Sequence, residues 1–218
     1  LIKLQTIIQN SFILQYYPYK SVDQKILDLF DLVCGARMTF HYIRIGGVIA
    51  DVQSEFIKKT KEFIKYAPKM IAEFHGLLSG NEIFYNRLKG TSTITKDQAL
   101  ALGLTGPVLR ASGFNFDLRK EQPYGVYDKF DFIVPTGTNG DNWDRYMVRV
   151  QEIEESLKII EQAYKNLPDG PFHADVPEFY LPEKADVYTK MEALIYHFKI
   201  VMGETDVPAG EVYHSVEG

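Results

Sequence analysis

The strongest constraint on the fold is the spacing of apolar residues in Asp141–Tyr164. They fall at Trp143, Tyr146, Met147, Val150, Ile153, Leu157, Ile160 and Tyr164. Steps of three and four place them on one face of a long helix, with Glu152, Glu154, Glu155 and Lys158 on the remaining surface. Asp141 stands at the N-cap, with Asp144 three residues on, where carboxylates satisfy free amides and favour the helix dipole. Asn166, Pro168 and Gly170 stop the helix. Trp143 opens the stripe and is expected to be largely buried, with this helix central to a helical bundle.

Other segments repeat the pattern. A helix is expected over about Gln53–Leu78, with Phe56, Thr60, Phe63, Ala67, Ile71, Phe74 and Leu78 inward and a kink or break near Tyr66 forced by Pro68. A third covers about Val22–Phe40, with Ile26, Leu27, Phe30 and Val33 inward. A fourth covers Ala185–Met202, with Met191, Leu194, Ile195, Phe198 and Val201 inward. Thr95-Lys96-Asp97-Gln98 is a capping box opening a short helix that Gly103 ends. Only Asp131–Val134 and Glu211–His214 read as short β-like runs. Gly103–Tyr127 is long, irregular and charged, a kind of segment usually functional or interfacial. Pro168–Glu183 reads as an extended connector. No internal repeat is present. The fold class is mainly α, a helical bundle with minor short β strands and long irregular loops.

Composition narrows the function. At 218 residues and 45% hydrophobic, the chain is long enough for one large domain or two small ones and is not disordered. Twenty-four basic against 29 acidic residues give a net charge of −5 with no basic block, so nucleic acid is not an expected partner. No apolar run approaches the about 18–20 residues of a membrane span, and no signal peptide is visible, although Leu1 in place of Met suggests that the true start is missing. The single cysteine, Cys34, permits no internal disulfide and no cysteine-held cluster, and its apolar setting marks it as a packing residue.

Several chemistries fail on spacing. No two of His41, His75, His173, His197 and His214 lie three or four apart, so no local metal site is expected. Ser112 lacks the preceding glycine of a nucleophile elbow. Gly137-Thr138-Asn139-Gly140-Asp141 precedes a helix but has no P-loop lysine, and its aspartates repel phosphate. Ile45-Gly46-Gly47-Val48 has too few glycines for a dinucleotide fingerprint and follows no clear strand. What remains is charge. Arg110, Asp117, Arg119, Lys120, Asp128, Asp131, Asp144 and Arg145 crowd two segments that also hold Phe114, Phe116, Tyr124 and Tyr127. They read either as Asp–Arg clamps that pin an irregular loop to a helix end, or as a surface offered to another subunit.

Six segments in order carry a resemblance: Tyr42-Ile43-Arg44-Ile45-Gly46-Gly47-Val48, Leu104 through Gly113, Asp117-Leu118-Arg119-Lys120 with Pro123-Tyr124, Gly140-Asp141-Asn142-Trp143-Asp144-Arg145-Tyr146, Met191 through Lys199, and Pro208-Ala209-Gly210-Glu211-Val212-Tyr213. Together they resemble the 49 kDa, or D, subunit family of respiratory complex I, NADH:quinone oxidoreductase. The likeness runs from about Leu27 to Glu217.

The resemblance implies a fold like the large subunit of nickel–iron hydrogenases. Those proteins hold their metals with paired cysteines, which Cys34 alone cannot supply. It also implies a peripheral subunit that, with a small cluster-bearing neighbour and a 30 kDa, or C-type, subunit, helps form the cavity where quinone is reduced. No cofactor is expected on this chain itself: the iron–sulfur cluster sits on the neighbour and the quinone at the shared site. Arg37, Thr39, His41, Arg44, Gly46 and Gly47 are the implied cluster- and quinone-facing residues, on a helix end and the turn after it. Arg110, Asp117, Arg119, Lys120, Tyr124, Asp144 and Arg145 are the implied interface residues.

Departures from the family pattern qualify this. The family places a histidine where Thr39 stands, leaving His41 the nearest imidazole. It has an aromatic run and an Arg-Glu pair where this chain has Tyr16-Tyr17-Pro18-Tyr19 and Asp23-Gln24. Residues 1–218 are expected to be the central helical part of such a subunit, lacking N- and C-terminal parts that separate chains could supply, and inactive in isolation. The alternative is a non-catalytic structural or assembly fragment. Abundant Ile, Lys, Tyr and Phe suit an AT-rich genome, including an organellar one; the expected place is the matrix side of the mitochondrial inner membrane, with the cytoplasmic side of a bacterial plasma membrane as the alternative.

Overall fold

The computed structural model describes residues 20–176, 179–203 and 208–217. The helices are α1 (Lys20–Cys34), α2 (Ser54–Phe74), α3 (Glu82–Leu88), α4 (Lys96–Ala101), α5 (Gly106–Ala111), α6 (Leu118–Glu121), α7 (Asn142–Lys165), α8 (Lys184–Thr189) and α9 (Met191–Met202). A π-helical turn, His75–Ser79, extends α2, and a 3-10 turn lies at Tyr127–Lys129. The two strands, β1 (Ile43–Arg44) and β2 (Gly47–Val48), form an antiparallel hairpin. The mainly α class is confirmed.

The chain divides into two compact units. One contains Lys58–Leu167 with His214–Gly218, the other Gln24–Ile57 with Pro168–Tyr213. In the first, α5 packs on α7, and α3 touches both α7 and the π-helical turn. Its core is Phe63, Ala67, Met70 and Ile71 of α2, Ala99 and Leu109, Phe132, and Val148, Val150, Leu157 and Ile159 of α7. In the second, the buried residues are Ile26, Leu29, Phe30 and Val33 of α1 and Ala193 of α9, and α8 contacts α9.

The local signals hold. Thr95 and Gln98 complete the capping box of α4, Leu102 closes that helix, and Gly103 follows with a positive φ. Asp141 caps α7 by accepting the amide of Asp144 at 2.8 Å.

Several expectations are corrected. Helix α2 runs unbroken through Pro68. Pro68 stands on the exposed side of the helix. Helix α1 ends at Cys34, six residues before Phe40, because Gly35 adopts φ +68 and returns its amide to Asp31. The fourth helix is two, divided at Lys190, whose backbone is extended. Its predicted inward residues Met191, Leu194, Ile195, Phe198 and Val201 are all exposed. Neither Asp131–Val134 nor Glu211–His214 forms a strand; strands appear instead at Ile43–Val48.

The face of α7 is also rotated. Trp143 is half-buried, set edge-on to Tyr85 at 4.8 Å and beside Phe84 and Tyr146. The buried residues of α7 are Asp144, Arg145, Val148, Val150, Ser156, Leu157 and Ile159, in which polar side chains are covered beside apolar ones.

Candidate functional site

The hairpin lies in the second unit. After Gly35 the chain is irregular to Tyr42. Phe40 stacks on Phe30 of α1 with ring centroids 4.2 Å apart, and Arg37 Nη2 donates to Asp28 at 2.6 Å. Tyr42 donates its hydroxyl to the carbonyl of Ala50 at 2.9 Å, closing the base of the hairpin. The register pairs Ile43 with Val48 and Arg44 with Gly47, leaving Ile45-Gly46 as a two-residue turn.

Arg37, Thr39, His41 and Arg44 are exposed, and so are Met38 (86%), Ile43 and Ile45 (76%). The result is a basic and apolar edge on a rigid base. Arg37 and Thr39 stand on irregular chain and Arg44 on β1, not on a helix end.

Gly47 sits at φ +153, and a Cβ there would lie 2.5 Å from the carbonyl oxygen of Phe172. Val48 donates to that carbonyl at 3.1 Å, and Ala174 donates to Gly46 at 2.8 Å. The close approach that the two glycines permit is therefore made by residues 172–174 of this same chain. His173, stacked on Tyr180 at 4.1 Å, joins the hairpin through a bridge to Gly47. No local signal in the Pro-rich connector foretold this. Burial pushes the Cys34 thiol up, as suits an inert packing cysteine.

The charged candidates lie in the first unit, in two networks. In one, Asp141 accepts the amides of Gly90 and Asp144, each at 2.8 Å. Burial works to raise its carboxyl, but these bonds and Arg145 outweigh it and hold the group below the usual range. Asp144 accepts from the amides of Thr138 and Asn139 at 2.8 and 2.6 Å. Arg145 donates to the carbonyls of Gly140 and Ser92. A carboxylate of the chain itself thus occupies the amides a phosphate would use in this loop.

In the other network, Arg110 of α5 donates through Nε to Glu152 at 2.7 Å and through Nη1 to Glu217 at 2.8 Å and to the carbonyl of Phe116 at 3.1 Å. Arg119 grips Asp117 through Nε and Nη2, and its guanidinium lies over Phe132. Burial raises the Asp117 carboxyl to about 6, opposed by the Arg119 amide and reinforced by Glu217 and Glu152. Burial also opposes charge on Arg110, but Glu152 and Glu217 overcome it and raise the group.

Arg110, Asp117, Arg119, Asp144 and Arg145 are buried and bonded within their unit, while Lys120 is exposed and Tyr124 half-buried. Sequence reasoning grouped these residues but missed Glu152, assigned to the helix surface, and Glu217; nothing local marks either. Ser112 donates to the carbonyls of Ile94 and Val108 and serves as a structural tie. Among the described residues, no three His, Cys, Asp or Glu side chains are grouped to hold a metal ion, and no helix is long and apolar enough to cross a membrane.

Comparison with known proteins gives the family of this mainly α chain. Residues 17–218 match the family described as respiratory-chain NADH dehydrogenase, 49 kDa subunit, and the chain belongs to it. It is 52% identical over 198 residues to the second D-type subunit of the NADH-quinone oxidoreductase of Cytophaga hutchinsonii, covering 89% of this chain and 50% of that protein. The D-type subunit of the Flavobacterium johnsoniae enzyme is 48% identical over 196 residues, and that of Leptospira biflexa 45% over 194, each covering 89% of this chain and 48% of the relative. The chain thus spans about half the length of these relatives. All three are bacterial, and the mitochondrial compartment expected from composition finds no support in them.

Proposed function

We infer that this chain is a peripheral-arm subunit of a proton-translocating NADH:quinone oxidoreductase on the cytoplasmic side of a bacterial plasma membrane. With the small cluster-bearing subunit it forms the walls of the quinone-reduction site, and the 30 kDa subunit is a further neighbour. The observation that carries the reading is the family match across residues 17–218. One cysteine cannot hold an iron–sulfur cluster, so the redox centre belongs to a neighbour.

The exposed edge of Arg37, Thr39, His41 and Arg44 is the part of this chain that turns toward that cluster. A guanidinium there favours the reduced, more negative cluster and raises its potential. Lys120 and Tyr124 offer polar surface to neighbouring subunits, with Arg110, Asp117, Arg119, Asp144 and Arg145 holding that surface in shape from behind.

The test is the midpoint potential of the terminal cluster in the assembled complex. Arg44→Met is expected to lower the potential. If that variant changes neither the potential nor the rate of quinone reduction, the chain is a structural or assembly piece. The purified chain alone is expected to lack NADH and quinone oxidoreductase activity, flavin and iron–sulfur absorbance. Stoichiometric iron on it would refute the argument from one cysteine.

A further inference from the structure

The run Asp131–Val134 has the composition of a strand, yet among the described residues it pairs with none. The chain is extended there all the same. Phe130 enters it at φ −100 and ψ 134, and Asp131 and Ile133 are exposed while Phe132 between them is buried, as in a strand. One edge of the run is used by α7. The Gln162 side chain donates to the carbonyl of Asp131 at 2.7 Å and accepts its amide at 2.8 Å, and Glu155 accepts the amide of Ile133 at 2.9 Å. The opposite edge is open. The N–H and C=O groups of Phe132 and Val134 alternate with the bonded ones and have no partner among the described residues. A cavity of about 280 Å³ lies beside the run, walled by Asp131–Val134 with Asn115, Asp117, Lys120 and Glu121 and by no residue of α7. An unpaired backbone edge in its wall fits an extended chain better than a compact molecule.

We propose that this edge is a docking site for an extended segment of a neighbouring subunit, which adds to Asp131–Val134 as a β-strand and brings a Lys or Arg to the cavity. It rests on the reading of this chain as one subunit of a larger complex and names the kind of contact one neighbour makes. Strand addition uses alternate residues of one edge, and Phe132 and Val134 offer that pattern. Charge selects the partner. Of the acids in the wall, Asp117 is bonded to Arg119. Glu121 and Asp131 make no ion pair among the described residues. The cation of the wall, Lys120, lies over the Phe132 ring and acts on Glu155, and Lys158 is bonded to Glu155 while acting on Asp131 through space. Two carboxylates thus line the cavity against one ammonium, and a basic side chain complements them. A second copy of this run would bring another Asp131 to the same acidic edge, where like charges oppose pairing. Pro135 has no N–H and limits the ladder to the residues before it.

The experiment is hydrogen exchange resolved to single amides by mass spectrometry, on the free chain and on the assembled NADH:quinone oxidoreductase that contains it. In the free chain the amides of Asp131 and Ile133 are expected to be protected and those of Phe132 and Val134 to exchange fast. In the complex, exchange at Phe132 and Val134 should slow about tenfold or more. Val134→Pro removes the open amide and keeps an apolar side chain. Mixed equally with wild type during assembly, it should be recovered in the complex about tenfold less, the effect of one lost hydrogen bond. Val134→Thr keeps the amide and should assemble as wild type does. Glu121→Lys, on an exposed position, should also lower recovery, and it decides together with the exchange data if Val134→Pro does not fold. Equal exchange at Phe132 and Val134 in the free chain and the complex would overturn the proposal and leave the subunit reading intact. A chain absent from the complex would overturn both. Protection of these amides in a dimer of the free chain, seen by sedimentation, would overturn it in favour of a second copy.

Discussion

The guanidinium of Arg110 donates to the carboxylate of Glu217 at 2.8 Å across 107 positions of sequence, while the same group holds Glu152 at 2.7 Å. One buried cation thus joins α5, α7 and the C-terminal segment. Its removal leaves two carboxylates, one buried and one half-buried, without their shared cation. Arg110→Met is expected to destabilise the protein by about 3–5 kcal/mol, the cost of breaking a buried ion pair by removing one partner. Arg110→Lys should recover only part of this, since an ammonium lacks the fork that serves three acceptors at once. Urea denaturation of the three proteins checks both statements.

The cap of α7 predicts a smaller effect. Asp141→Ala removes the acceptor for the amides of Asp144 and Gly90 and is expected to cost about 1–3 kcal/mol. Asp141→Asn keeps an acceptor and should cost less. Chemical denaturation at neutral pH separates the two variants.

Gly140 tests the packing before that cap. It holds φ +66, and an added Cβ would overlap the carbonyl oxygen of Ile94. That stretch of backbone is fixed, since Ile94 donates to the carbonyl of Gly140 at 3.0 Å. Gly140→Ala is expected to destabilise by well over about 1 kcal/mol, because the strain and the overlap act together. Thermal melting beside Gly210→Ala, where nothing stands within 4 Å, provides the control.

The two aspartates respond to pH with opposite sign. Asp117 has a carboxyl raised to about 6 from 3.8, so between those values the folded protein binds more protons than the unfolded chain. Its favourable contribution is present below the unfolded value and is lost as pH rises toward 6. Asp141 is held below its ordinary value, so its contribution is present above the unfolded value and is lost as pH falls through the folded one. Subtracting the pH profiles of urea midpoints for Asp117→Asn and Asp141→Asn from wild type should give differences of opposite slope on the acid side of neutrality.

The features read correctly from sequence are those whose causes lie within a few residues. Thr95 meets Gln98 and Asp141 meets the Asp144 amide inside a single turn, so each cap is written in adjacent letters. The errors occur where a distant partner decides. Glu152 looked like surface because its cation is 42 positions away. Pro68 looked like a helix breaker until its ring proved to face solvent. The strands at Ile43–Val48 have no strong local pattern, and residues 172–174 hold them against Gly46 and Gly47. Helix periodicity and capping arise from hydrogen bonds closed over three or four residues, and a linear reading contains them. Burial of charge, the tolerance of a proline and the pairing of a two-residue strand depend on which remote group removes water from the site, and only the tertiary structure decides that.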